Sequence, residues 1–91
     1  MAVTVRLPGV LRDAVGGEAR IEASGATLAD VFADIDRRHP GFRSRVLDDR
    51  GTIRSYVNVY VGDTDARDSG GLGTAVPEGS EVMVIPAMAG G

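Results

Sequence analysis

Apolar and polar residues alternate from the start of this chain, with Val3, Val5 and Leu7 on one side and Thr4 and Arg6 on the other. A period of two belongs to a strand with one buried face, so Val3–Leu7 reads as a first strand. Pro8-Gly9 closes it, and Gly16-Gly17 turns the chain into a second short strand, Glu18–Ala23, with Ile21 facing inward. The two runs are expected to pair as an antiparallel hairpin with a long loop. The period then changes. Leu28, Val31, Phe32 and Ile35 fall at i, i+3, i+4 and i+7, which makes one apolar stripe on a helix. Thr27 is its expected N-cap, with Asp30 three residues on in the place of the usual Glu of a capping box. Arg37, Arg38 and His39 lie at the negative end of the dipole, and Pro40-Gly41 stops the helix.

Phe42, Val46 and Leu47 fit one short helical turn before a loop at Asp48-Asp49-Arg50-Gly51. Tyr56–Val61 is a strand with three valines on one face and Tyr56, Asn58 and Tyr60 on the other. A short edge strand is expected near Asp65-Ala66-Arg67. Pro77-Glu78-Gly79-Ser80 is read as a tight turn with Pro at i+1 and Gly at i+2. The last strand, Glu81–Pro86, is apolar on both faces over Val82-Met83-Val84-Ile85, which suits a central position beside the first strand. One helix must cover one face of a small sheet. The order therefore predicts an α+β fold, a β-grasp: a mixed four- to five-stranded sheet with one main helix packed on one face. Residues 1–86 form the expected domain, and residues 87–91 a flexible C-terminal Gly-Gly tail.

Composition narrows the function. At 91 residues, 43% apolar and 25% charged, the chain fits one small globular domain. It has no cysteine, so disulfides and thiolate chemistry are excluded. Its longest apolar stretch is far short of a membrane span, and no secretory signal precedes the first strand, so the expected compartment is the cytoplasm. All ten basic residues are arginines, scattered among thirteen acids for a net charge of −3. Without a basic stripe, and with 4% aromatics, nucleic acid is excluded as the main partner. A lone His39 at a helix end reads as a dipole contact rather than a catalyst. Asp63, Asp65 and Asp68 do not match a calcium loop, since Arg67 and Thr74 occupy ligand positions. Ser69–Thr74 is glycine-rich but lacks the lysine and the following helix of a phosphate cradle. No metal site is expected.

The chemistry then falls to the end of the chain. Ala87-Met88-Ala89-Gly90-Gly91 follows the last strand directly and carries no charge, with Met88 its one bulky side chain. A bare, extended segment can be threaded down a narrow channel, and glycine reaches backbone angles closed to other residues. Ordering it costs on the order of 5–10 kcal/mol, to be offset by main-chain hydrogen bonds in a partner's groove.

Taken with Asn58-Val59-Tyr60-Val61, Gly71-Leu72, Pro77-Glu78-Gly79-Ser80 and the strand Glu81–Ile85, this tail resembles the ubiquitin-like sulfur carriers of the MoaD/ThiS family, nearest to the type that serves cysteine biosynthesis in actinobacteria. Met88 stands where that type has valine. The resemblance implies that Gly91 is adenylated by an adenylyltransferase/sulfurtransferase of ubiquitin-activating type, which uses ATP, and is then converted to a thiocarboxylate. Ala87, Met88, Ala89 and Gly90 would be the threaded lead. No cofactor is bound by the carrier itself, which is a co-substrate rather than an enzyme. The sulfur acceptor would sit on a second enzyme, a PLP-dependent cysteine synthase or a thiazole-synthase-like thiosugar synthase, and a metalloprotease would free the cysteine. Docking is expected on the sheet face away from the helix, where Tyr60, Met83 and Ile85 would lie together. Other readings of the same tail are a ubiquitin-like protein modifier, the small subunit of a molybdopterin synthase, and an adaptor whose tail is idle.

Overall fold

Strand β1 (Ala2–Arg6) buries Val3 and Val5 and turns Thr4 and Arg6 outward, as its alternation requires. It belongs to a computed structural model that describes residues 2–86; Met1 and residues 87–91 lie outside the described residues. The antiparallel partner, β2 (Arg20–Ser24), pairs Val3 with Ala23 and Val5 with Ile21. Ala23 is buried and Ile21 packs against the core from its rim. The strand begins two residues later than its sequence pattern indicated.

The connection between β1 and β2 is not a plain loop. It folds as a short helix, α1 (Gly9–Arg12), followed by a 3-10 turn at Asp13–Val15, and buries Leu11 and Val15. Four residues are too few to show a period, so the pattern missed it. Helix α2 (Leu28–Arg38) follows its expected design: Thr27 Oγ1 accepts from the Asp30 N–H at 3.3 Å, and Leu28, Val31, Phe32 and Ile35 are fully buried. Helix α3 (Phe42–Val46) is the expected short turn, and its Phe42 ring meets Phe32 edge-on at 5.8 Å.

Strands β3 (Val57–Val61), β4 (Thr64–Asp65) and β5 (Glu81–Pro86) complete a sheet ordered β2-β1-β5-β3-β4. The central β5 runs parallel to β1 and antiparallel to β3. This is the mixed five-stranded β-grasp that the element order predicts, with α2 across one face. Strand β4 lies a residue earlier than expected. Asp65 ends it by accepting the Arg67 N–H at 2.9 Å, which starts a 3-10 turn at Ala66–Asp68. The Pro77–Ser80 turn also differs in register. Ser80 N–H donates to the Pro77 carbonyl, so Pro77 is residue i, and Gly79 at φ +82° fills position i+2. Only glycine takes that angle without strain.

The glycine-rich Ser69–Thr74 segment folds as a turn that ties neighbouring elements together. After a 3-10 turn at Gly71–Gly73, the Thr74 carbonyl accepts the Leu28 N–H at 3.1 Å and Val76 N–H reaches the Ala26 carbonyl at 2.8 Å. The Thr74 hydroxyl, the one buried polar side chain among the described residues, donates to the Gly71 carbonyl at 2.7 Å. The loop thus straps the start of α2 to the approach of β5.

Candidate functional site

Two periodicities decide what the end of β5 presents. Val82 and Val84 face the core under α2, so Glu81, Met83 and Ile85 must face outward. The register then sets their neighbours. Met83 lies between Arg6 of β1 and Tyr60 of β3, and Ile85 lies opposite Asn58. Tyr60, Met83 and Ile85 thus share one face and are each half-buried. No helix among the described residues covers them. The sheet brings these three predicted residues together as alternation required.

Strand β5 outruns one of its neighbours. Pairing with β1 stops at Arg6 opposite Met83, whereas pairing with β3 continues to Val57 opposite Pro86. Past that point β1 turns away through Leu7 and Pro8 into α1. A shallow depression of about 150 Å3 opens there, lined by Arg6, Leu7, Pro8, Met83, Val84 and Ile85. Strand β5 leads from this depression directly into residues 87–91. Ala87, Met88, Ala89, Gly90 and Gly91, which the sequence nominates as the reactive end and its lead, lie outside the described residues.

The two largest exposed hydrophobic residues among those described flank the same end of the sheet. Tyr56, directly before β3, is 51% exposed and donates through its hydroxyl to the Arg45 carbonyl at 3.1 Å. Val10 of α1 is 62% exposed, and its carbonyl accepts from Arg45 at 2.7 Å. Arg67 secures the start of β3, donating to Asn58 Oδ1 at 2.7 Å and to the Arg54 and Val57 carbonyls at 2.8 Å. Sequence reading found none of these roles, because each joins segments far apart in the chain.

The remaining candidates are structural. Asp48 accepts the backbone N–H groups of Thr52 and Arg50, and the Thr52 bond is the main reason its carboxyl is held below the usual range. Asp65 caps a 3-10 turn. His39 follows α2 and donates its backbone N–H to Ile35. Among the described residues no three His, Cys, Asp or Glu side chains are grouped to hold a metal. No helix among them is long and apolar enough to cross a membrane. The described part offers an open sheet face, with Tyr60, Met83 and Ile85 at its centre, that ends in a strand leading to the tail.

Known proteins resemble this chain in sequence and fold. Residues 5–91 match the ThiS family. The sulfur carrier protein CysO of Mycobacterium tuberculosis is 43% identical over 93 residues, covering all of both chains. Its crystal structure superposes with a TM-score of 0.91, covering 94% of this chain and 99% of that one. The structure of the BexX/CysO complex of Amycolatopsis orientalis gives a TM-score of 0.89 at 42% identity, over 98% and 99% of the two chains. Small archaeal modifier protein 3 of Haloferax volcanii is 29% identical, again over the whole of both chains.

Proposed function

This chain belongs to the ThiS family, and on that premise we propose that it is a sulfur carrier whose Gly91 carboxylate is adenylated and then converted to a thiocarboxylate. The observation that carries this reading is the full-length 43% match to CysO, which takes in the Gly90-Gly91 end as well as the fold.

The chemistry orders the steps. A chain-terminal carboxylate has a pKa of roughly 3.3–3.7, so it is ionised at neutral pH and resists nucleophiles. When one of its oxygens attacks the α-phosphorus of ATP, pyrophosphate leaves and an acyl-adenylate forms. A sulfur nucleophile then attacks the carbonyl carbon and expels AMP. ATP is a substrate of the activating enzyme, an adenylyltransferase/sulfurtransferase, and the carrier binds no cofactor. The chain is therefore a co-substrate that acts in the cytoplasm. Its own residues supply a rigid sheet that positions the tail, the threaded lead Ala87-Met88-Ala89-Gly90, and a docking face of Tyr60, Met83 and Ile85. A second enzyme accepts the sulfur: a PLP-dependent cysteine synthase, or a thiazole-synthase-like thiosugar synthase. Where the product is an amino acid held on the carrier, a metalloprotease releases it.

Intact-mass measurement after incubation with the activating enzyme, ATP and a sulfur donor tests the reading. A gain equal to sulfur minus oxygen, lost when Gly91 is deleted, is the expected result. A chain that keeps its starting mass refutes it. The relation to small archaeal modifier protein 3 favours a second reading, a protein modifier. Branched Gly-Gly remnants on other proteins, without any thiolated carrier, would select it. Stable co-purification with a large catalytic subunit would instead mark a molybdopterin-synthase-like role.

A further inference from the structure

The end of the sheet that leads into the tail carries a charge arrangement that folding alone does not explain. Arg6 and Arg20 are direct cross-strand neighbours at the last paired position of β1 and β2. Both are on the outer face and exposed. Like charges placed directly opposite each other destabilise a strand pair. Arg6 has partial relief from Glu81 at 3.7 Å. The Arg20 guanidinium makes no ion pair or hydrogen bond among the described residues. Further arginines gather at the same end: Arg12 is bound to the Leu7 carbonyl, and Arg45 to the Val10 carbonyl and Asp13. At the opposite end of the sheet the charges beside the strand ends are acidic, with Asp63 following β3, Glu78 preceding β5 and Asp30 in the first turn of α2. Asp13 and Glu18 are the acids at the tail end, against Arg6, Arg12, Arg20 and Arg45, so a chain of net charge −3 still has a net basic end where β5 leads into the tail.

We propose that Arg6 and Arg20, beside the depression between β1 and β5, dock onto an acidic rim around the opening through which the activating enzyme receives the tail. This rests on the sulfur-carrier reading and adds the chemistry of the partner's surface. Two features select that occupant. Charge complementarity calls for carboxylates on the partner, which would relieve the Arg6–Arg20 repulsion on docking. The depression, lined by Met83, Val84 and Ile85 next to Arg6, accepts an apolar side chain beside those carboxylates. The segregation of charge also turns the tail toward an acidic opening before contact, which raises the rate of productive encounter.

The test is pyrophosphate release by the activating enzyme of the same genome, measured against carrier concentration at low and high salt. The wild type is expected to show a KM that rises with salt; the double variant Arg6→Glu/Arg20→Glu is expected to raise KM roughly tenfold with kcat within about twofold, and to remove that salt dependence. Arg50→Glu, in the loop after α3, is the single-reversal control and leaves KM unchanged. If the double reversal fails to fold, Arg6→Gln/Arg20→Gln carries the same test with a smaller KM change and a flattened salt dependence. An unchanged KM in the double variants, or an equal loss in Arg50→Glu, overturns the docking proposal alone. A wild-type chain that is never adenylated overturns the carrier function and the docking with it.

Discussion

Gly25 joins β2 to α2 at a point of close approach. A Cβ built on it would stand 2.6 Å from the Val31 nitrogen and 2.7 Å from the Asp30 Cβ. Backbone atoms cannot give way as a flexible side chain does. Gly25→Ala is therefore expected to cost about 2 kcal/mol, read as a lower denaturant midpoint with an unchanged slope. Gly9→Ala, with nothing within 4 Å of the added carbon, leaves the midpoint nearly unmoved. Asp34 acts at the same junction. Its carboxylate accepts the Ser24 backbone N–H at 3.0 Å and pairs with Arg38 and Arg37. The Ser24 bond above all holds its pKa below the ordinary 3.8; partial burial opposes this, and the two arginines reinforce it. A depressed folded value means that the contribution is present above pH 3.8 and fades as pH falls through the folded pKa. Asp34→Asn is expected to cost about 1 kcal/mol at neutral pH after screening by solvent. The difference from wild type should shrink below pH 3.8; a gap independent of pH would show that the charge is not what matters.

Among the elements, α1 tests whether the β1–β2 connection belongs to the core. Leu11 is 2% exposed, and Val15 beside it is fully buried. Leu11→Ala is expected to destabilise by about 2–4 kcal/mol in chemical denaturation. A plain surface loop would register under about 0.5 kcal/mol, so the measurement separates the two descriptions. Its N-cap, Pro8, lines the depression beside Met83, Val84 and Ile85 of β5. It serves the core and helps shape the depression beside β5 at once.

At the scale of the whole molecule, one face of the sheet is closed by α2 and the other is left open among the described residues, and that open face is the one proposed for docking. Met83 is central to the open face, between Arg6 and Tyr60. Met83→Asp should cost no more than about 1 kcal/mol of stability, since the position is half-buried and the added charge sits beside Arg6. It should weaken adenylation by raising KM for the carrier. Normal adenylation kinetics in a folded Met83→Asp protein would remove the open face from the docking surface.

Local patterns carried much of this molecule. The stripe of α2, its Thr27 cap, the alternation of β1 and β3 and the two-sided apolarity of β5 each arise within a few residues, because helix and strand periods are set by the backbone. From them the β-grasp and the outward Tyr60, Met83 and Ile85 followed. The Gly90-Gly91 end was equally plain as sequence. What local patterns could not decide depends on which segments meet. Leu11 becomes core only because the folded chain closes over the β1–β2 connection. Pro77 takes position i of its turn because Ser80 must enter β5 beside Thr4, whose N–H reaches the Ser80 carbonyl at 3.3 Å. Arg6 and Arg20, fourteen positions apart and read as scattered charges, become neighbours only through the β1–β2 register. Period and capping are short-range, so the chain displays them directly; register and charge juxtaposition are fixed by burying one shared core, and only the assembled sheet brings them about.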